Sequence, residues 1–263
     1  CVRIRASAEG AKSAVVIGAS FIGMEAAASL AKRNVPVTVV APEAVPMERV
    51  FGPEVGKMYQ GVHEGKGVTF RMGAKPRRID GDGKCAAVVL ESGDAIDADL
   101  VVIGVGVAPV SDYVSGVEKS DDGGVLVDEH FRAAEDVYVA GDLARWPDWR
   151  TGEPIRVEHW RLAEQLGRAA ARNMAGKEEK FTDVPFFWTE QYMVITDYVG
   201  HATEWDEIVY DGEPSKREFL AYYVLDGRVY AAATCGKDRE IGLIAEQLRA
   251  PEAPKLGDVR AAI

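Results

Sequence analysis

The chain has 263 residues, 47% of them hydrophobic, which is enough for two medium domains or one large one. Asp and Glu outnumber Lys and Arg by 42 to 31, a net charge of −11, which argues against a nucleic-acid surface. No apolar run approaches the about 18 residues of a membrane span, and Cys1, Cys85 and Cys235 lie far apart with neither CxxC nor metal spacing. The four histidines form no metal pattern either, and the composition is that expected of a soluble, cytosolic protein.

Residues 1–12 read as the end of a helix running out through Gly10. Because that segment opens on Cys1 in place of Met, the chain is expected to be a fragment with ordered sequence upstream. An apolar run, Ala14 to Ile17, then ends at Gly18; a small-residue helix is predicted from about Phe21 to Arg33, and a second apolar run begins at Val35. Strand, glycine turn, helix and strand make the βαβ unit that seats a dinucleotide pyrophosphate. Gly18 permits the tight turn, Gly23 lets the helix pack closely on the strand, and the helix N-terminus offers N–H groups and a positive dipole end to phosphate.

The motif departs from its pattern twice. Ser20 stands where a middle glycine is usual, crowding the pyrophosphate slightly while offering a hydroxyl donor. The acid expected about twenty residues on is replaced by Ala41 and Pro42, so Glu43 is the nearest carboxylate for the ribose. No Lys or Arg follows at once to accept a 2′-phosphate, which favours NADH over NADPH.

Further along, residues 54–66 read as a helix, Val68–Met72 as a strand, and Pro76 to Ala98 as a meander of two or three short strands. A buried strand from Leu100 to Val105 runs into a second glycine turn at Gly104, Val105 and Gly106. Strands are predicted at Val125–Val127 and Val137–Ala140, the second ending in Gly141 and Asp142, followed by a helix from about Val157 to Met174. From Pro185 the pattern turns β-rich and aromatic and closes with a helix near Glu240–Arg249.

Five stretches in this order carry a resemblance: Val16 to Glu25, Ile103 to Pro109, Val137 to Asp142, Arg156 to Trp160, and Pro185 to Gln191. Together the chain resembles the C-terminal two-thirds of FAD-dependent pyridine-nucleotide oxidoreductases, in the branch of ferredoxin reductases and apoptosis-inducing-factor-like proteins. The resemblance implies an α/β fold with a Rossmann-like NAD domain over 11–123, the second part of an FAD domain over 124–184, and an α+β interface domain over 185–263. Residues 1–10 would be a residual helix of the preceding part. That part would hold the FAD pyrophosphate motif in roughly a hundred residues upstream.

The implied cofactors are FAD and NAD, and the implied activity is hydride transfer from NADH to flavin, with electrons passed on to a ferredoxin or Rieske-type iron–sulfur protein in the cytoplasm. By the same resemblance Gly18, Ser20, Phe21, Ile22, Gly23, Gly104, Val105 and Gly106 line the NAD side, and Gly141 and Asp142 meet the flavin ribityl chain. Glu158, His159 and Trp160 would sit beside the isoalloxazine, and Trp188 would approach it from the C-terminal domain. The residues themselves leave alternatives: a plain Gly-Asp turn at 141–142, a solvated His159, and core aromatics at Trp160 and Trp188. Glu25 either points to solvent or meets a polar ligand group, which the resemblance makes the nicotinamide carboxamide. No acid–base catalyst is needed, because the flavin performs the chemistry. Two other functions fit the sequence: a disulfide reductase of the same superfamily, against which the lack of a C-terminal His-Pro pair counts, and a redox-sensing flavoprotein that holds NADH with little turnover.

Overall fold

The computed structural model describes residues 1–263. They divide into one compact unit of residues 1–106, 189–195 and 212–218, and a second of 107–188, 196–211 and 219–263.

The first unit runs α1 (Val2–Ala8), β1 (Ala14–Ile17), α2 (Phe21–Ala31), β2 (Val37–Ala41), α3 (Glu48–Glu64), β3 (Thr69–Met72), β4 (Pro76–Gly81), β5 (Cys85–Leu90), β6 (Ala95–Asp97) and β7 (Leu100–Ile103). Strands β3-β2-β1-β7 form a parallel sheet, with Ala14 level with both Val37 and Leu100. The central strand β1 is buried along its whole length because both faces are covered: α2 packs on it, and Val15 and Ile17 pack with Val88 and Leu90 of β5. Its helix α2 buries Gly23, Met24, Ala27, Ala28 and Leu30, mostly small side chains that allow a close approach to the sheet. Helix α2 ends where Asn34 turns left-handed (φ 62°), just before Pro36. Strands β4-β5-β6 form a separate antiparallel meander, the three-stranded version of what the turns predict.

Two element predictions need correction. The strand predicted through Val105 stops at Ile103 and is not buried throughout: it is the sheet's edge, so Leu100 and Val102 face inward while Ile103 is 59% exposed. The helix predicted from residue 54 is present from Pro53, but a further helical segment from Glu48 precedes it across a kink at Gly52 (φ 77°, ψ 179°). The sequence pattern reports only the segment after the proline.

The second unit continues with β8 (Val125–Leu126), β9 (Arg132–Ala134), β10 (Val137–Tyr138), β11 (Ala144–Pro147), β12 (Pro154–Ile155), α4 (Trp160–Met174), β13 (Phe186–Gln191), β14 (Val194–Gly200), β15 (Glu207–Glu213), β16 (Glu218–Leu225), β17 (Arg228–Cys235), α5 (Asp238–Gln247) and α6 (Leu256–Ala261). The tips of β13 and β14 and the β15–β16 connection belong to the first unit. Phe131, Trp146 and Phe181 pack with Leu162 and Leu166 of α4 in one core. In the sheet β13-β14-β17-β16-β15, Tyr222, Val224, Val229 and Ala232 pack against Ile241 and Ile244 of α5, Leu248 just after it, and Val259 of α6. Strands β9, β11 and β12 and helix α6 are absent from the sequence reading. The fold is of the predicted α/β class, with an antiparallel α+β region at its C-terminal end. No helix is long and apolar enough to cross a membrane.

Candidate dinucleotide site

The turn after β1 is held by backbone. Gly18 adopts φ +102°, and its N–H donates to the Val40 carbonyl at 2.8 Å. A Cβ on Gly18 would fall on the Gly104 carbonyl oxygen, one on Gly23 on the Gly18 carbonyl oxygen, and one on Gly104 would lie 2.9 Å from the Gly23 nitrogen. Three backbone segments therefore touch where only glycine fits. The Gly104 N–H donates to the Ile17 carbonyl at 2.8 Å, which draws the second glycine turn onto the first. Gly106 follows at φ +107°, and Val105 between them is 69% exposed.

At the start of α2, Ser20 is the N-cap in extended conformation, and its side chain makes no capping bond. The first-turn N–H groups thus have no side chain bonded across them, which suits an incoming anion. Ile22 is 53% exposed beside them, while Phe21 turns edge-on to Phe51 at 5.5 Å.

Glu25 is exposed on α2, and its Oε1 accepts a hydrogen bond from the Thr189 hydroxyl at 2.8 Å. Thr189 is 1% exposed, so the exposed Glu25 carboxylate is held from the protein side by a buried side chain. At the end of β2, Glu43 pairs with Arg49 at 3.1 Å. This corrects the expectation that no cation stands near the strand end. Six residues separate the two in sequence, but the chain folds back at Met47 (φ 54°) to start α3 and returns Arg49 to Glu43.

In the second unit, Gly141 (φ +75°) lies against α4; a Cβ there would sit 3.4 Å from the Ala163 Cβ. The short turn at 141–143 therefore rests on the first turn of α4, with Asp142 exposed. His159 caps that helix, its Nδ1 accepting from the Arg161 N–H at 3.3 Å. Burial and the nearby Arg161 charge lower the His159 pKa, against the opposing pull of Asp142. His159 is thus a half-buried cap, not a solvated residue.

Trp160 is 65% exposed, so it is not a core aromatic. Its ring meets that of Trp188 edge-on at 5.5 Å, and His159 lies 5.2 Å from Trp188. Trp188 is half-buried within this cluster. Glu158 is fixed by Arg156 Nη1 at 2.7 Å, and the same guanidinium donates to the Asp142 carbonyl at 3.1 Å and, through Nε, to Asp122 at 2.8 Å. Arg145 donates to the same Asp122 oxygen at 2.8 Å. The Ser120 hydroxyl, Arg156 and Arg145 hold the Asp122 carboxyl far below the usual carboxylate range. One arginine thus ties together the turn at 142 and the approach to α4.

Sequence reasoning missed Thr189, Gln191, His63, Asp122, Arg145 and Arg156 as members of these arrangements. Arg156, Thr189 and Gln191 stand inside stretches that carry the family resemblance, which was the available signal. His63 has no local signal, because its partner Gln191 stands 128 residues away; Asp122 bonds to the nearby Ser120, but its two arginine partners are distant in sequence.

A parallel sheet whose first turn admits only glycine, followed by a small-residue helix, defines a dinucleotide-binding α/β protein. A family model described as pyridine nucleotide-disulphide oxidoreductase matches residues 1–167, and one described as reductase C-terminal matches 186–260. The chain belongs to the pyridine nucleotide-disulphide oxidoreductase family, and FAD with NAD(H) are the cofactors that membership implies. It is 31% identical over 253 residues to apoptosis-inducing factor 3 of Homo sapiens, covering 94% of this chain and 42% of that protein. The chain therefore spans less than half the length of that relative. Among solved structures, the ferredoxin reductase for the CYP199A2 system from Rhodopseudomonas palustris matches with TM-score 0.89 and 27% identity, over 100% of this chain and 67% of that one. The covalent putidaredoxin reductase–putidaredoxin complex matches with TM-score 0.87 and 28% identity, over 94% of this chain and 60% of that one.

Proposed function

We propose that this chain carries the NAD(H) site and one wall of the FAD site of an NADH-dependent flavoprotein oxidoreductase, whose electrons pass to a ferredoxin or Rieske-type iron–sulfur protein in the cytoplasm. The observation that carries the reading is the interlock of Gly18, Gly23 and Gly104, which leaves the α2 N-terminus open to a pyrophosphate. The similarity to ferredoxin reductases supports the choice of acceptor.

Residues 11–123 form the NAD(H) domain in this reading, 124–184 the second part of the FAD domain, and 185–263 the interface domain, with 1–10 a helix of the preceding part. Gly18, Ser20, Phe21, Ile22 and Gly23, with Gly104, Val105 and Gly106, line the pyrophosphate seat. Glu25 meets the nicotinamide carboxamide. Gly141 and Asp142 receive the ribityl chain, and Glu158, His159, Trp160 and Trp188 flank the ring system. The fit to a flavin rests on chemistry present in the second unit: an exposed carboxylate beside a helix N-terminus, with exposed aromatic surface at the same place. When bound, a flavin would supply the acceptor for the NADH hydride and the one-electron chemistry toward the iron–sulfur partner. The residues bind and orient, and none is required as an acid or a base. Glu43 accepts from the adenosine ribose and favours NADH, while the adjoining Arg49 keeps that preference small.

Anaerobic mixing of the full-length, FAD-loaded protein, upstream FAD segment included, with NADH tests this. The expected result is loss of the flavin absorbance, followed by its return when an oxidised ferredoxin is added. Return on addition of a disulfide substrate but not of a ferredoxin would replace the proposed acceptor. Failure of NADH to reduce the flavin would favour a sensing role.

A further inference from the structure

Three polar side chains with almost no solvent exposure, Thr189 (1%), Gln191 (1%) and His63 (0%), lie in a line that ends on the exposed carboxylate of Glu25. The Thr189 hydroxyl is 2.8 Å from Glu25 Oε1, Gln191 Nε2 is 3.1 Å from Thr189 Oγ1, and His63 Nε2 is 2.7 Å from Gln191 Oε1. All four residues belong to the first unit.

The chemistry of the endpoint fixes the direction of every bond. An ionised carboxylate only accepts, so the Thr189 hydroxyl must donate to it. Its hydrogen thus spent, that hydroxyl can only accept from Gln191, which therefore presents its amide nitrogen to Thr189 and its carbonyl to His63. The Gln191 amide nitrogen also lies 3.8 Å from the Met47 sulfur, consistent with a donor on that side. His63 must then carry its proton on Nε2. Its Nδ1 has no hydrogen-bond partner, as a ring nitrogen without a proton would tolerate better than an N–H would. The Phe70 and Tyr192 rings stand edge-to-face with it, and Lys32 and Lys66 lie over the tyrosine ring. Donors aligned head to tail polarise one another and strengthen the last bond.

We propose that Thr189, backed by Gln191 and His63, is a positioning residue for the cofactor's nicotinamide end, setting the Glu25 carboxylate in the one orientation that receives the carboxamide. The proposal rests on the reading of Gly18 to Gly23 as the NAD seat and of Glu25 as its carboxamide contact. Committing a buried hydroxyl to a surface acid makes sense where that acid's orientation matters.

The test compares NAD+ with ADP-ribose, which has the same pyrophosphate and adenosine but no nicotinamide, by calorimetric titration of the protein. Thr189→Val should weaken NAD+ about fivefold to tenfold, the loss of one hydrogen bond to a charged group, and leave ADP-ribose affinity unchanged. Thr189→Ser, which restores the hydroxyl, should recover NAD+ affinity. Equal loss for both ligands, no loss for either, or no recovery with serine overturns the proposal while leaving the NAD seat intact. Failure of the parent protein to bind both ligands overturns the seat itself, and the proposal with it. Should the valine variant not fold, the ¹⁵N shifts of His63 in the parent decide: the neutral Nε2–H form supports the directed chain, and the Nδ1–H form overturns it.

Discussion

Around Gly18 the first unit brings three backbone segments together with no side chain between them, whereas the second unit holds the turn at Asp142 and the approach to α4 with charged side chains centred on Arg156. The first arrangement allows no tolerance, since any Cβ at Gly18 or Gly23 meets a carbonyl oxygen of a neighbouring segment. The second is shared: Asp122 accepts from both Arg145 and Arg156, so one contact survives the loss of the other. A pyrophosphate seat made of backbone N–H groups requires close approach, while a wall beside a ring system requires only that a turn and a helix start keep their spacing.

The largest effect should come from Gly18→Val. It combines a β-branched residue at a left-handed φ with a backbone clash, and should cost about 3 kcal/mol or more, lowering the melting temperature and abolishing NAD+ binding by calorimetry. Ser20→Asp separates binding from folding. Aspartate is a good N-cap, so the melting temperature should hold, while a carboxylate at the phosphate seat weakens NAD+ about tenfold or more.

In the second unit, Arg156→Met should be milder. The clamp is part-exposed and Arg145 still pairs with Asp122, so thermal unfolding should register a loss of about 1 kcal/mol. The exposed Trp160 should report the loosened helix start as a shift in its fluorescence. An effect as large as that of Gly18→Val would show that the two regions do not differ in tolerance.

Acidification should act on the first unit through His63. Burial holds its pKa below the ordinary 6.5, although the bond to Gln191 pulls the other way. The unfolded chain therefore takes up a proton below pH 6.5 that the folded form refuses, so stability falls as pH drops from there toward the folded pKa. The slope is at most about 1.4 kcal/mol per pH unit. His63→Gln should flatten it in melts compared with the parent across that range.

The smallest effect concerns cofactor choice. Glu43→Ala should bring NADH and NADPH affinities toward parity, and Arg49→Ala should move them apart by about twofold to fivefold, because the pair is largely exposed on the arginine side. A strong preference for NADPH in the parent would make Arg49 the phosphate partner.

The βαβ unit was legible because its information is local: an apolar run, two glycines five apart and a small-residue helix stand consecutively in the sequence. Gly104 was legible as a turn but not as the third member of the interlock, since it meets Gly23 only after β7 pairs with β1. The kink at Gly52, the return of Arg49 to Glu43 and the line from His63 to Glu25 were not legible. Each depends on where a later segment folds back, and the contact from Thr189 to Glu25 spans 164 residues. Arg156 was read as part of a motif, but its role as the tie between Asp122, Asp142 and Glu158 appears only in three dimensions.

The most direct test of the central claim, that the Gly18 turn seats the cofactor, is to map backbone amide shifts of the protein on addition of NAD+. The account predicts saturable shifts concentrated at residues 18–25 and 104–106, where the open N–H groups of α2 and the second glycine turn lie. Saturable binding whose shifts leave those amides unmoved would contradict it.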